Sequence, residues 1–368
     1  MEGRDAKSSR DRGTVNNRVR PVAVTRWWDS GPAVDDAAKY KKDVEEYYDK
    51  IQLLNKKLNA DDKFSYVETR PRFPRPPCFY PWYKIYRMKN TNPSSLRSKR
   101  LMKPGASEYE ATAMLQFTSL KFSGGFSHEN HMSVYGFLAV RDGIDYLRNY
   151  IFHQTREHAH DISPDSCSMP LISPIRGIYA EYGVLVEYSI RAKNNATKYA
   201  VNDYEIIDGC FEFRNCIGTG NEKHKARIYG PYGSMDIGFV LLMHAVEATI
   251  DVRIVRAAKG YDLKTVTAFT SGYGDGIVLY DTTGCPHMSS DDNIPLLVVA
   301  SAVVAVELDG ELKLEFEFSN KRNWKGSVSK RELSFISKKN RCSKKAITVG
   351  GVFKFEANVN WSTFEELV

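Results

Sequence analysis

The segment Glu311-Leu-Lys-Leu-Glu-Phe-Glu-Phe-Ser-Asn320 alternates apolar and polar residues, so that Leu312, Leu314, Phe316 and Phe318 share one face. A period of two residues is typical of a β-strand with one buried face. The same alternation recurs at Val184, Val186, Tyr188 and Ile190, and at Ile250, Val252 and Ile254. We therefore predict a mainly β fold, either an antiparallel β-sandwich or a distorted barrel.

Short strands separated by turns rich in Gly, Asn and Asp are predicted throughout the second two-thirds of the chain. They are 114–122, 134–141, 149–153, 176–180, 183–192, 204–213, 226–230, 236–246, 247–256, 264–273, 276–281, 296–308, 311–319, 332–337 and 346–359. Asp309-Gly310, which separates two alternating runs, predicts a hairpin turn.

Four segments are distinguished by composition. Residues 1–32 are polar and basic and predict a disordered tail, because they hold too few apolar groups to form a core. Residues 33–60 predict an amphipathic helix, and residues 61–110 a linker that is first rich in proline and then basic. Residues 111–362 form the predicted β-sandwich domain.

The predicted helix has one apolar face with alternating spacings of three and four residues. Its members are Tyr40, Val44, Tyr47, Ile51, Leu54 and Leu58. This spacing is that of a short heptad seam, which would pair two copies of the chain as a homodimer through residues 33–60. A helix that packs against its own β-sandwich would use the same face, so both interpretations stay open.

The composition is that of a globular protein, with 42% apolar and 26% charged residues among 368. Six cysteines occur without a C-x-x-C pair, which argues against a zinc ribbon and a disulfide scaffold. The first residues lack the apolar core of a signal peptide, and the longest apolar stretch, 294–308, is too short to span a membrane. We therefore expect a cytoplasmic or nuclear protein without a membrane association.

The formal charge of +7 is unevenly distributed, because residues 1–22, 84–104 and 321–345 are strongly basic. The run 321–345 is predicted to be a long loop, in which lysines serve either solubility or contact with RNA or another anion. The candidate contacts are Arg322, Lys325, Lys330, Arg331, Lys338, Lys339, Arg341, Lys344 and Lys345.

Histidines form the densest groups of possible metal ligands. His153, His158 and His160 lie close in sequence, and His128 and His131 form an H-x-x-H pair. Neither group has the spacing or the helix of a known zinc motif, so we predict solvated loop histidines, no metal and no cofactor.

Two glycine-rich motifs and one pair of aspartates lack the neighbouring structure that a phosphate-binding or catalytic site needs. Gly218-Thr-Gly220 and Gly272-Tyr-Gly274-Asp-Gly276 lead into strands and not into a phosphate-binding helix, so we interpret them as turns with positive φ. No G-x-S-x-G occurs. Asp142 and Asp145, near Arg141 and Arg148, are expected to close a turn at the surface.

Five segments together resemble an uncharacterised domain family of cereal grasses over residues 115–361. They are VYGFLAVRDGIDYLRNYIF (134–152), SPIRGI (173–178), YEIIDG (204–209), AVEATIDVRI (245–254) and FKFEANV (353–359). In some relatives this domain follows a jasmonate-induced ribosome-inactivating domain, which implies a stress or defence setting. The resemblance supplies no catalytic residues.

Ribosomal RNA N-glycosylase activity is rejected for this chain. The nearest phrase to the Glu-x-x-Arg pair of ribosome-inactivating domains is Glu247 to Arg253, which has the wrong spacing and the period of a strand.

We expect instead a non-enzymatic module that recognises a protein or a ligand through its β-sandwich. The alternatives are a protein associated with RNA or the ribosome, and a hydrolase that uses Asp142, Asp145 or His153.

Overall fold

A computed structural model describes the chain at residues 37–59, 64–73, 81–95, 110–126, 131–195, 199, 202–214, 221–256, 261–282, 297–320 and 328–364. The elements, in chain order, are α1 (Ala37–Asn59), β1 (Thr69–Arg70), α2 (Pro81–Ile85), β2 (Thr112–Phe122), β3 (Met132–Arg141), β4 (Asn149–Gln154), β5 (His160–Ile162), β6 (Ile178–Tyr179), β7 (Gly183–Ala192), β8 (Tyr204–Arg214), β9 (Glu222–Gly230), β10 (Gly233–Arg256), β11 (Tyr261–Thr270), β12 (Ile277–Asp281), β13 (Leu297–Glu307), β14 (Glu311–Asn320), β15 (Val328–Ile336), β16 (Cys342–Val349) and β17 (Phe353–Ser362). The predicted tail, 1–32, lies outside the described residues.

The strands form three antiparallel sheets. Sheet 1 has the order β1-β8-β7-β3-β4, with β5 also paired to β3. Sheet 2 has the order β16-β17-β10-β2-β6, with β9 and β13 also paired to β10, and sheet 3 has the order β12-β11-β14-β15. The prediction of a mainly β, antiparallel fold is confirmed, and the sheets of the described residues are open and do not close into a barrel.

Strand β10 runs without interruption for 24 residues and belongs to both halves of the molecule. Its first half pairs with β2 on one edge and β9 on the other, and its second half pairs with β13 and β17. Between the halves, the Asn221 side chain accepts a hydrogen bond from the Met243 N–H (3.2 Å), and the His244 carbonyl accepts one from Leu308 (2.8 Å). The prediction of two strands, 236–246 and 247–256, is therefore wrong, because these contacts let the strand continue.

Two hydrophobic cores lie on either side of this junction. The first core lies between sheet 1 and the strands β2, β9 and the first half of β10, with Phe117, Tyr188 and Phe239 among its members. The second lies between sheet 3 and the strands β13, β17 and the second half of β10, and contains Trp361. The four alternating side chains from Leu312 to Phe318 are all buried in the second core, as their period predicts.

Two connections differ from the prediction. Asp309-Gly310 joins β13 of sheet 2 to β14 of sheet 3, so it is a crossing between sheets and not a hairpin. The predicted strand 346–359 is two strands, β16 and β17, because Gly350 and Gly351 adopt φ values of 58° and 74° and turn the chain. The predicted loop 321–345 likewise contains β15 and the start of β16, while 321–327 lie outside the described residues.

Helix α1 packs on its own β-sheets through the predicted apolar face. Val44, Tyr47 and Ile51 are buried, Leu54 is half-buried, and the helix contacts β9 and β1. The side chains of Tyr40 and Leu58 lie outside the described residues. The centre of the face is thus covered within one chain, which favours packing against the body, and a homodimer stays an untested prediction.

The segment that contains α2 covers the outer face of sheet 1. Trp82, Tyr86 and Met88 are buried there against Leu185 and Cys210. These aromatic residues fasten the predicted linker to the body. In the part of the chain that the structure describes, no helix is both long and apolar enough to cross a bilayer.

We expect Trp361→Ala to lower the free energy of unfolding by about 3–5 kcal/mol, because it removes a large side chain from the centre of the second core. Because β10 is shared by both cores, urea denaturation of Trp361→Ala, followed by circular dichroism, should show a single transition at a lower urea concentration than that of wild type. Val278→Ala, at a position that is 57% exposed, is the control and should change stability by less than about 0.5 kcal/mol. Two transitions, of which only one moves, would contradict the coupling of the cores.

Candidate functional site

A cleft of about 390 Å³ opens beside the first half of β10. Strands β2, β9 and β10 form one wall, while Phe64 and Ser65 and the turn that contains Asp275 form its sides. Concave sites with a few converging polar groups are where proteins usually bind small ligands. The cleft is therefore the candidate functional site.

A β-bulge places hydroxyl groups in this cleft. Gly238 pairs with Ser119 and the next residue, Phe239, pairs with Phe117, so Thr118 is the extra residue of β2. Both Thr118 and Ser119 line the cleft. A Cβ atom on Gly238 would lie 2.4 Å from the Ser119 Oγ, so a larger residue at the floor of the cleft would displace this hydroxyl from its position.

His224 lies at the back of the cleft with one ring nitrogen near a hydroxyl. Its Nδ1 is 3.1 Å from the Ser65 Oγ, and its ring stacks on Phe239 with centroids 5.2 Å apart. Burial lowers the pKa of His224 below its ordinary value, and the nearby Glu222 carboxylate offsets only part of this effect. The imidazole is therefore neutral at neutral pH and adds no positive charge to the cleft.

Two lysines from β9 give the cleft its charge. The Lys223 Nζ lies 3.1 Å from the Asp275 carboxylate. The Lys225 Nζ lies 3.3 Å from Asp236 and 4.8 Å from the centre of the Phe64 ring. Lys223 and Lys225 are both more than half exposed.

The turn that holds Asp275 runs from Gly272 to Gly276. The expectation of positive φ in this turn is wrong, because none of its three glycines adopts a positive φ. A Cβ on Gly276 would lie 2.8 Å from the Thr267 side chain. Among the described glycines, positive φ occurs instead at Gly136, Gly209, Gly350 and Gly351. The second motif, Gly218-Thr-Gly220, lies outside the described residues.

Sequence reasoning missed most of this cleft. The available signals were the adjacent hydroxyl residues that interrupt the apolar run of β2 at 118–119, and the alternating lysines of β9. Neither signal shows that the two strands flank β10, because strand order is not readable from the period of a single strand.

Glu187 is the centre of a buried ion network on the outer face of sheet 1. The Arg141 Nε and the Arg148 Nε each donate a hydrogen bond of 3.0 Å to its carboxylate, and Arg72 lies 3.5 Å away. Burial raises the pKa of Glu187, but the arginines outweigh it and hold the pKa below its ordinary value. Arg141 also donates to the carbonyls of Tyr86 and three other residues, so the network fastens the α2 segment.

Asp142 forms a second buried pair. Its two carboxylate oxygens accept hydrogen bonds of 2.6 and 2.7 Å from Arg176, and it also accepts the N–H of Ile144. Asp145 accepts a hydrogen bond of 2.6 Å from the Ser94 hydroxyl. The expectation that Asp142 closes a turn is confirmed, but its placement at the surface is wrong, since Arg141 and Asp142 are almost fully buried.

Glu247 lies on β10 where the two cores meet. Its carboxylate accepts a hydrogen bond of 2.6 Å from the Gly177 N–H, and the Thr249 hydroxyl lies 3.4 Å away. Burial raises the pKa of Glu247 to about 7, although Gly177 and the charge of Arg176 act in the opposite direction. This environment is unrelated to the cleft, which does not include Glu247 among its lining residues.

Residues 114–359 match a family described as a domain of unknown function, DUF6598. The chain belongs to the DUF6598 family. No curated protein matches the sequence of this DUF6598 chain.

Two solved structures are similar to the DUF6598 chain at a low level. The human GIVD cytosolic phospholipase A2 shares 10% identity over 69% of this chain and 33% of its own, with a TM-score of 0.21. The same human enzyme in complex with methyl gamma-linolenyl fluorophosphonate shares 8% identity over 70% and 34%, with a TM-score of 0.22. The chain spans about a third of these enzymes, and a similarity at this level carries no argument about fold or activity.

The histidines of the DUF6598 domain do not converge. His153 stacks on Tyr150, His158 lies by Thr155, and the Nε2 of His160 is 3.3 Å from the Ser168 carbonyl. Across the described ranges, no three His, Cys, Asp or Glu side chains are placed to hold a metal ion. His128 lies outside those ranges.

Several of the predicted RNA-contacting residues face carboxylates of neighbouring strands. Lys330 lies 2.8 Å from Glu315, Lys344 lies 2.8 Å from Glu356, and Lys339 pairs with Glu110. Lys345 covers the Phe335 ring and donates to the Ser334 carbonyl. Arg331, Lys338 and Arg341 are placed in or beside β15 and β16, while Arg322 and Lys325 lie outside the described residues. These pairs lower the positive charge that a phosphate backbone would meet.

The environment of Glu247 predicts a dependence of stability on pH. Its pKa is raised from 4.5 to about 7 by folding, so the folded chain holds the proton more tightly than the unfolded chain. This group's contribution is therefore fully present below pH 4.5 and is lost as the pH rises through about 7, by on the order of 3 kcal/mol. We expect Glu247→Gln to remove this loss, since the amide oxygen still accepts from Gly177.

The measurement is urea denaturation of wild type and Glu247→Gln at several pH values between 4 and 8. The difference in unfolding free energy should shift in favour of the variant as the pH rises. A difference that stays constant over this range would contradict the assigned pKa.

Proposed function

We propose that this DUF6598 domain is a non-enzymatic recognition module that binds a small ligand, or an exposed group of a larger partner, in the cleft beside β10. The observation that carries the proposal is the β-bulge that directs Thr118 and Ser119 into the cleft over Gly238. A regular pairing would leave alternate side chains of β2 on opposite faces, whereas the bulge adds a second hydroxyl to this wall.

The cleft also combines the kinds of groups that orient a ligand. Phe64 offers an aromatic surface, three hydroxyls can donate and accept hydrogen bonds, and the lysines supply charge. Such a lining recognises a polar molecule with some apolar surface.

The placement of the acidic residues supports recognition over hydrolysis. The carboxylates of Asp142 and Asp145, which the sequence offered as catalytic candidates, are bound by Arg176 and by Ser94 within the protein. Neither residue lines the cleft. They are accordingly assigned to the stability of the fold.

The proposed setting comes from the family resemblance. The relatives with a jasmonate-induced ribosome-inactivating domain imply that recognition serves plant stress or defence, in the cytoplasm or the nucleus.

A variant that fills the cleft tests this function. We expect Thr118→Trp to abolish the binding of small polar fragments, because the indole would occupy the space between β2 and β9. Binding is measured by saturation-transfer NMR with a panel of neutral, cationic and anionic fragments.

Thr348→Trp, at an exposed position on β16, is the matched control and should bind as wild type does. Circular dichroism would verify that both variants fold. If no fragment distinguishes folded Thr118→Trp from wild type, the cleft is not the binding site.

A further inference from the structure

We propose that the ligand of this cleft carries an oxyanion, a phosphate or a carboxylate, which binds Lys223 and Lys225 in place of the protein's own Asp275 carboxylate. This inference rests on the proposed function and specifies the chemistry of its ligand. Three features of the cleft lead to it.

The first feature is the charge around Lys225. Asp236, which lies 3.3 Å from Lys225, is already paired with Arg227 by two hydrogen bonds of 2.6 and 2.9 Å. Two oxygens that bind one guanidinium form the strongest common ion pair, so Arg227 neutralises this carboxylate. Lys225 is therefore a surplus cation at the wall of the cleft.

The second feature is the set of neutral donors beside this cation. Ser65, Thr118 and Ser119 line the same cleft, and each hydroxyl can donate one hydrogen bond. An oxyanion has several acceptor lone pairs and needs more donors than a single ammonium group supplies. The three hydroxyls and the two lysines together supply these donors.

The third feature is that Asp275 already places a carboxylate in the cleft. Its side chain lies 3.1 Å from the Lys223 Nζ and both side chains are more than half exposed. An exposed ion pair contributes little to stability, so another anion can replace it at low cost. A Cβ on the adjacent Gly274 would meet no atom within 4 Å, which shows that the turn has free space beside it.

The arrangement makes Asp275 an internal competitor. With Asp275 bound to Lys223, only Lys225 is available as a surplus cation. An incoming oxyanion that replaces Asp275 reaches both lysines. Removing the charge of Asp275 should therefore strengthen anion binding at the two lysines.

The experiment is a titration of the full chain with sodium phosphate and, separately, with ¹³C-labelled sodium acetate, at low ionic strength. Binding is measured by NMR from the broadening of the ³¹P resonance of phosphate and of the ¹³C resonance of acetate. We expect Asp275→Asn to bind phosphate about 3–10-fold more tightly than wild type, by removal of a competing charge. Lys225→Gln should weaken phosphate binding by about 3–10-fold relative to wild type, because it removes one of the two cations. Acetate and phosphate together show whether the cleft prefers one oxyanion.

Lys344→Gln is the matched control, because Lys344 is also an exposed lysine of a sheet and pairs with Glu356. It should bind both anions as wild type does. An equal loss in Lys225→Gln and Lys344→Gln would indicate unspecific attraction and overturn the inference, as would unchanged or weaker binding by Asp275→Asn.

The fragment panel separates this inference from the proposed function. If neutral fragments bind wild type but not Thr118→Trp, and neither phosphate nor acetate binds, the cleft is a recognition site and the oxyanion inference is wrong. If neither the fragments nor the anions bind, both proposals fail.

Discussion

The structure depends on the backbone hydrogen bonding of one strand, β10, whose two edges are occupied in both halves of the molecule. A buried strand must pair its N–H and C=O groups, because an unpaired group in the interior is costly. β10 meets this requirement with four partner strands and with the Asn221 side chain at the junction. Two cores consequently share one strand, and the position of each sheet is set relative to it.

Buried charge has a structural use in this fold. Glu187 with its arginines, and Asp142 with Arg176, hold irregular segments against sheet 1 and beside β6. Removing one member of such a pair leaves an uncompensated charge in the interior, so the pairs make the segments dependent on one another. This explains how residues 84–95, the described part of the basic segment near α2, pack on the body, although their composition is that of a linker.

The cleft follows from the same pairing. Because β2 and β9 lie on opposite edges of the first half of β10, side chains that are far apart in sequence line one concave surface. The bulge at Thr118 changes the direction of the β2 side chains at the cleft. A local irregularity in a regular sheet thus converts part of its outer face into a site with hydroxyls, lysines and one competing carboxylate.

The sequence by itself determined the class of the fold and the residues of the cores, because a period of two residues is a local property that Leu312 to Phe318 display whatever their partners are. It likewise determined the apolar face of α1, through its spacing of three and four residues. Tertiary structure alone decided that residues 236–256 form one strand, that Asp309-Gly310 passes between sheets, and that Arg141 and Asp142 are buried. It also decided the cleft, since Ser65, Thr118, His224 and Asp275 become neighbours only through strand order, which depends on long-range pairing and not on local pattern.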